Sequence, residues 1–144
     1  MTDPVTFSPE LRAFLAGRHF ATLATVAETG APNQAVVWYR LDADGTIVVN
    51  SAEGRRWPAD LRRDPRVSIA ITHHSDGYRW VGIRGVVEAV IDDQDVAQAD
   101  IAGLAHRYHR DDPAKAERLI RDRFQRQHRV SFRIRPLELH DHHD

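Results

Sequence analysis

Six runs rich in β-branched and aromatic residues dominate this chain and constrain its fold more than any other feature. Short turns such as AETGAP, DADG and SDG join most neighbouring runs, which is typical of antiparallel strands. A doubly wound parallel sheet needs a crossover helix after nearly every strand, and few segments here could supply one. We therefore expect a mainly β protein, an antiparallel barrel without open sheet edges and with helices packed outside it. The runs are residues 19–26, 33–41, 46–51, 66–74, 78–91 and 129–139.

Local signals mark the helix ends and one irregular strand. Ser8 and Asp112 can each cap a helix N-terminus, and the proline that follows each of them suits the first turn. Gly17 suits the end of the first helix. Gly82 and Gly85 interrupt the longest run and indicate a bulge, a bend or a close backbone approach. The predicted helices are residues 8–17, 59–64, 92–109 and 111–127.

Length and composition limit the class of protein. The chain has 144 residues, with no internal repeat and no linker, so we expect a single domain over residues 1–144. Its formal net charge is -1, which argues against binding to nucleic acid or to an anionic membrane. The lack of cysteine excludes disulfides, thiolate metal sites and a cysteine nucleophile. Without an apolar run of membrane-spanning length or a signal peptide, the chain is expected to be soluble and cytoplasmic.

Several catalytic motifs are missing from the sequence. There is no G-x-S-x-G nucleophile elbow, no G-x-G-x-x-G after a strand and no Walker loop. These absences argue against a serine hydrolase, a Rossmann dehydrogenase and a P-loop enzyme.

The histidines do not predict a metal site. His73 and His74 are adjacent, and neighbouring side chains on a strand point to opposite faces, so the two rings should diverge. His106 and His109 are three apart on a predicted helix and could chelate an ion, but no recognised motif supplies a carboxylate to complete the shell. We therefore expect surface histidines and no bound metal.

The most unusual segment, NSAEGRRWPADLRRDPRVSI (residues 50–69), concentrates positive charge in a nearly neutral chain. It follows a predicted strand and enters a short helix, where backbone amides and guanidinium groups can hold a phosphate. Ser51 adds a hydroxyl, and Trp38 and Trp57 could offer flat faces to an aromatic ring system. The alternative is a solvated charged loop with Trp57 as a packing plug, and the residue types leave both open. Its five arginines are Arg55, Arg56, Arg62, Arg63 and Arg66.

A second basic segment, ERLIRDRFQRQHRVSFRIR (residues 117–135), raises the possibility of nucleic-acid binding. Acidic residues are interspersed near its start, and its arginines fall on several faces of the predicted helix. Because the chain has no net basicity, we interpret this segment as a solvated amphipathic helix followed by a strand.

Three motifs, in their order and spacing, resemble a known superfamily. They are LATV...G.P, L.RDPRVS and the GVVE strand, within a similarity that extends from about Leu11 to Leu139. Together they resemble the pyridoxamine 5'-phosphate oxidase-like superfamily, and most closely its flavin/deazaflavin oxidoreductases of the small split β-barrel type. The resemblance implies a split-barrel homodimer with two cofactor sites at the subunit interface, each holding coenzyme F420 or, alternatively, FMN.

The resemblance also implies an activity. Reduced F420 would pass a hydride to an unsaturated small-molecule acceptor stacked on its ring. An FMN-dependent oxidoreductase and a non-catalytic flavin- or haem-binding module are the alternatives. Many F420-using relatives have a lysine where this chain has Trp57, so Arg56 is the neighbouring cation that could replace it. Carried over to this sequence, the cofactor-binding residues are Gln34, Val36, Trp38, Val49, Asn50, Ser51, Arg55, Arg56 and Trp57, with Tyr78 and Trp80 from the other subunit.

Overall fold

One antiparallel sheet of seven strands forms the body of the protein. The structure is a computed structural model, and it describes residues 5–144. The strand order across the sheet is β2-β1-β5-β6-β7-β4-β3. The strands are β1 (Phe20–Val26), β2 (Pro32–Val37), β3 (Arg40–Leu41), β4 (Ile47–Ala52), β5 (Arg66–Thr72), β6 (Trp80–Ile91) and β7 (Arg129–His142).

The sheet curls on itself. Its two edge strands, β2 and β3, are consecutive in the chain, and only Trp38 and Tyr39 separate them. Three Cα–Cα steps span at most about 11 Å, so the two edges must approach each other at this link. The predicted fold class, a split antiparallel β-barrel with peripheral helices, is confirmed.

The predicted single strand over residues 33–41 is wrong, because the backbone leaves the ladder at Trp38 and Tyr39. The fully buried Tyr39 ring places its hydroxyl 2.8 Å from the Leu15 carbonyl, to which it donates a hydrogen bond. The Tyr39 amide donates to the Tyr108 hydroxyl at 3.2 Å instead of to a neighbouring strand. These contacts end β2 and begin β3.

In the described part of the chain, four helices and one short 3₁₀ turn surround the sheet. Ser8 and Asp112 act as the predicted N-caps, since their side chains accept hydrogen bonds from the Leu11 and Lys115 amides, both at 3.1 Å. The predicted last helix ends earlier than residue 127, and a 3₁₀ turn follows it. The helices are α1 (Pro9–Leu15), α2 (Arg56–Arg63), α3 (Gln94–Tyr108) and α4 (Pro113–Asp122), and the 3₁₀ turn is Phe124–Arg126. None of the helices in residues 5–144 is long and apolar enough to cross a membrane.

Gly85 confirms the predicted irregularity of the long strand. The register between β6 and β7 shifts between Arg84 and Gly85, and again between Val87 and Ala89. A Cβ atom on Gly85 would lie 2.8 Å from the Arg135 carbonyl oxygen, a distance that real Cβ atoms do not adopt. The two strands approach so closely here that only glycine fits.

Two apolar clusters fill the interior. The larger lies between α1, α2 and the concave face of the sheet, and Phe14, Trp57 and Phe132 belong to it. The smaller lies between α3, α4 and the 3₁₀ turn, and Ile101 and Phe124 belong to it. A cavity opens where the two clusters meet.

The expected divergence of His73 and His74 is wrong. Strand β5 ends at Thr72, so the alternation of a strand no longer applies to the two residues that follow it. Their rings stack with centroids 4.5 Å apart. His106 and His109, the other pair that could chelate an ion, do not share a site. His106 Nε2 lies 2.8 Å from a carboxylate oxygen of Glu117, while the His109 and Trp38 rings make an edge-to-face contact.

Candidate functional site

The cavity between the two apolar clusters has a volume of about 460 Å³, and we call it the arginine cavity. Strands β2 and β4 and the start of α2 form one side. Helix α3, the 3₁₀ turn and the start of β7 form the other. Its lining residues are Ala35, Val36, Val37, Trp38, Asn50, Arg55, Trp57, Ile101, Leu104, Arg123, Phe124 and Arg129.

Aromatic rings give this cavity flat walls. Trp38 stacks on Tyr108 with ring centroids 5.2 Å apart and an interplanar angle of 9°. Its edge-to-face contact with Phe124, at 6.3 Å, fixes the angle between two of the walls. Trp57 is almost fully buried and packs against Phe132 at 5.4 Å, so it is both a core residue and a wall. Such faces suit a planar aromatic ligand.

The arginine-rich stretch divides into two groups. Three of its guanidinium groups form ion pairs within the stretch: Arg62 with Glu53, Arg63 with Asp60 and Arg66 with Asp64. Arg55 and Arg56 form no ion pair with any residue in the described part of the chain. The charge that remains available therefore sits at the start of α2, beside the arginine cavity.

Arg129 brings a buried positive charge into the same cavity. Its guanidinium donates to Asn50 Oδ1 at 2.9 Å and to Gln127 Oε1 at 2.6 Å, and it lies over the Phe124 ring at 5.0 Å. Burial, together with the smaller effect of the positive charges of Arg55 and Arg123, lowers its pKa to about 10. Within residues 5–144 no carboxylate pairs with Arg55, Arg123 or Arg129. An anion is the ligand that this arrangement favours.

A chain of hydrogen bonds holds Arg129 in place from behind. Asn50 accepts a hydrogen bond from Arg129 Nε and donates one through Nδ2 to the Ser131 hydroxyl at 2.9 Å. Ser131 donates in turn to Asp100 at 2.7 Å, and Arg40 binds the other oxygen of Asp100 at 3.0 Å. Because every member of this chain is hydrogen-bonded, the position of the Arg129 side chain is well determined.

The start of α2 adds backbone donors. Arg55 is its N-cap and makes no side-chain capping bond. Pro58 occupies the third helical position and has no N–H, so the first-turn amides are those of Arg56 and Trp57. Free amides at a helix start, together with guanidinium groups, form a donor set suited to a phosphate. The cavity thus fits a planar ring that carries a phosphate.

The structure brings together five of the sequence-predicted site residues. Val36, Trp38, Asn50, Arg55 and Trp57 all line the arginine cavity. The predicted residues that do not line it lie in several environments: Val49 and Ser51 buried in β4, Gln34 exposed on β2, Arg56 exposed on α2, Trp80 half-buried on β6 and Tyr78 exposed before β6.

Sequence reasoning missed the opposite side of the cavity. Ile101 and Leu104 come from α3, while Arg123, Phe124 and Arg129 come from the second basic segment. That segment was interpreted as solvated, although its density of arginines was a signal. What the sequence could not show is that Arg129 points inward.

Comparison with known proteins identifies the family. The family model described as pyridoxamine 5'-phosphate oxidase matches residues 7–143, so the chain belongs to this family, and the predicted resemblance is confirmed. Similar solved structures include an F420 reductase, with 23% identity and a TM-score of 0.72 over 94% of this chain and 98% of that one.

Two further structures share the fold. A conserved hypothetical protein from Mycobacterium tuberculosis has 23% identity and a TM-score of 0.71, over 99% of this chain and 89% of that one. HutZ, the haem-storage protein from Vibrio cholerae, has 21% identity and a TM-score of 0.69, over 95% of each chain. These similarities show the fold alone. The activity of this chain has to be inferred from its own residues.

Proposed function

We propose that the arginine cavity binds the ring and phosphate of coenzyme F420, and that the protein is an oxidoreductase that transfers a hydride between this cofactor and an unsaturated small molecule. FMN is the alternative cofactor. One observation carries the proposal: guanidinium groups that have no carboxylate partner within residues 5–144 converge on a cavity with aromatic walls. The family match and the fold of an F420 reductase support it.

Each part of the cavity has a role in holding such a cofactor. Trp38 and Phe124 present flat faces for the ring, and Arg129 supplies a buried charge for an anionic group. Arg55 and Arg56 stand at the start of α2, where the phosphate is proposed to bind. When bound, the cofactor supplies the hydride chemistry, and the protein contributes orientation, charge and exclusion of water. This division agrees with the missing nucleophile motifs.

The spread of positive charge favours F420 over FMN. Arg129 is buried, whereas Arg55, Arg56 and Arg123 are exposed, so the charge extends from the interior to the cavity mouth. The side chain of F420 carries a phosphate and an acidic tail, and it needs cations over a longer path than the single phosphate of FMN. In this proposal, exposed arginines such as Arg56 supply the positive charge of the lysine that many F420-using relatives have where this chain has Trp57.

We further propose a cytoplasmic homodimer that completes each site across its interface. Tyr78 and Trp80 lie near the β5–β6 turn and outside the arginine cavity of their own chain, so in this arrangement they reach the cavity of the partner. The proposal includes a small-molecule substrate and no nucleic-acid partner.

The test is a paired fluorescence titration of the full chain with F420 and with FMN. We expect F420 to bind with a micromolar or lower Kd, and Arg55→Gln to weaken it at least tenfold, because one charge-assisted contact is lost. Arg66→Gln is the matched control, since Arg66 lies in the same arginine stretch but is exposed and paired with Asp64. Preference for FMN would transfer the proposal to the alternative cofactor, and binding of neither would refute it.

Activity needs a second measurement. Oxidation of reduced F420 should be followed with enone and quinone acceptors, and turnover should fall with Arg55→Gln in parallel with binding. Tight binding without turnover on any acceptor would contradict the oxidoreductase and support a non-catalytic cofactor-binding module.

A further inference from the structure

Three histidines meet beyond the ends of two paired strands. His19 immediately precedes β1, and His73 and His74 immediately follow β5. Because β1 and β5 are antiparallel with Phe20 opposite Thr72, the residue before one strand lies beside the residues after the other. The His19 ring centroid is 4.8 Å from that of His73 and 5.2 Å from that of His74.

Their nitrogens lie close enough together to hold one metal ion. One ligand-capable nitrogen from each of His19, His73 and His74 lies within 4.8 Å of the other two. The Nδ1 atoms of His19 and His74 are 3.2 Å apart, close to the roughly 3.3 Å between two nitrogens bound to one tetrahedral zinc ion. The His74 amide also donates to His19 Nδ1 at 3.1 Å, and a metal ion would replace this hydrogen bond.

The local structure fixes the innermost ligand. A Cβ atom on Gly17 would lie 2.5 Å from His19 Nε2, so glycine is needed there to leave room for the ring. Phe14 stacks on the same ring, with centroids 4.6 Å apart. His19 is buried, His73 is half-buried and His74 is exposed, so the cluster is built into the fold and still opens to solvent.

We propose that His19, His73 and His74 bind one divalent transition-metal ion of the zinc class, with a remaining coordination position open to water or to an external ligand. Imidazole nitrogen suits zinc, copper and nickel, and the chain offers no thiolate to compete. Three protein ligands with one open position are typical of reactive zinc sites, whereas structural sites have four.

This site is separate from the arginine cavity, although Tyr108 touches both. The Tyr108 hydroxyl donates to the His19 carbonyl at 2.5 Å, while its ring stacks on Trp38. The proposal rests on neither the cofactor nor the hydride chemistry, so each can fail without the other.

The test is zinc binding to the full chain without an affinity tag, by equilibrium dialysis and by Co²⁺ absorption spectroscopy. We expect one tightly bound zinc per chain and an intense visible Co²⁺ spectrum of low coordination number. His74→Ala should weaken zinc binding at least tenfold, and because His74 is exposed, the variant should fold. His140→Ala combined with His142→Ala is the control, since the centroids of these two rings lie 4.8 Å apart at the end of β7 and the pair could also chelate.

Unchanged zinc affinity in His74→Ala would overturn the proposal, as would loss of the tight site in the His140/His142 variant. A weak six-coordinate Co²⁺ spectrum in the wild type would also count against it. If His74→Ala weakens binding, His73→Ala should do so as well, with near-native circular dichroism in both variants.

Discussion

At the scale of single residues, the buried charge of Arg129 lowers the stability of the folded protein, although the same charge is proposed to bind an anion. Its lowered pKa, caused first by burial and then by Arg55 and Arg123, means that the folded state disfavours its charged form. For a base, such a shift costs stability below the folded pKa, and the cost is relieved as the pH rises through about 10. At neutral pH the side chain stays charged, so a bound anion would compensate for this cost.

The first prediction follows from this charge. Inorganic phosphate should raise the Tm of the wild-type protein at pH 7, by mass action on the folded state. Arg129→Gln should lose most of this increase, because the buried cation is gone while a side chain able to hydrogen-bond remains. Differential scanning calorimetry with and without phosphate measures the increase in Tm for the wild type and for Arg129→Gln. Arg84→Gln is the control, since Arg84 is exposed and pairs with Glu138. Equal increases in all three proteins would contradict the prediction, and the wild-type increase should shrink as the pH approaches 10.

The second prediction concerns Gly85, where the backbones of β6 and β7 lie very close together. Gly85→Ala should destabilise the protein by roughly 1–3 kcal/mol, because its Cβ would overlap the Arg135 carbonyl and the Ile134 side chain. Gly103→Ala is the opposite case, since Gly103 lies within α3 and, apart from its own helix backbone and chain neighbours, no described residue comes within 4 Å of its Cβ position. That substitution should stabilise by about 0.5–1 kcal/mol. Urea denaturation compares the two, and similar losses in both variants would refute the steric explanation.

At the scale of elements, α2 is joined to the sheet by one buried carboxylate. Asp60 accepts hydrogen bonds from Thr25 of β1 and Asn33 of β2, both at 2.8 Å, and from Arg63 at 2.9 Å. Burial alone would raise the pKa of Asp60, but these hydrogen bonds outweigh it and the pKa is lowered. The contacts hold α2, and with it Arg55 and Trp57, against the strands that form the arginine cavity.

The third prediction is that Asp60→Asn destabilises the protein by roughly 1–3 kcal/mol, because an amide cannot accept all three bonds. A carboxylate whose pKa is lowered by folding contributes stability above its unfolded pKa and loses it as the pH falls through the folded value. The difference between wild type and variant should therefore be full at pH 7 and shrink below pH 4. Chemical denaturation over this range measures it. Asp111→Asn, at an exposed ion pair, should show little change, and a pH-independent difference would contradict the linkage.

Sequence patterns located the elements well where local chemistry decides them. Ser8 and Asp112 were predicted as caps and are caps, since a cap depends on residues within one turn. The break at Trp38 and Tyr39 was missed, because it depends on Leu15 and on Tyr108, about 70 residues away. Local β-propensity cannot register such contacts.

At the scale of the whole molecule, the proposed homodimer would complete the proposed site. Several apolar side chains remain exposed in one chain, among them Val36 at 70% and Tyr78 at 92%. Val36 lines the arginine cavity, so a second subunit that packed there would both bury apolar surface and close the cavity. Buried apolar area is the main favourable term in such an association.

The fourth prediction is a dimer with shared sites. Sedimentation should give twice the monomer mass of 16.4 kDa. Arg55→Gln and Tyr78→Ala should each weaken F420 binding, and neither should change the fold, because both side chains are exposed. Mixing the two variants should restore one intact site in each mixed dimer, since one site then carries both substitutions and the other carries neither. Failure of mixing to restore binding in a dimer would place both residues in the site of one chain, and a monomeric wild type would exclude the arrangement.

The sequence by itself determined the antiparallel strands, the helix caps and the irregularity of the long strand at Gly85, because these depend on local periodicity and on residues close in the chain. The family came from the resemblance of three motifs, in their order and spacing, to known proteins. It also placed Arg55 and Arg56 before a short helix predicted over residues 59–64, but in the structure this helix begins earlier, at Arg56. Only the tertiary structure decided which arginines form ion pairs among residues 5–144, and that Arg129 joins Arg55 across 74 positions of sequence. The meeting of His19 with His74 has the same origin. Both sites arise from the curl and register of the sheet, which are set by packing over the whole chain.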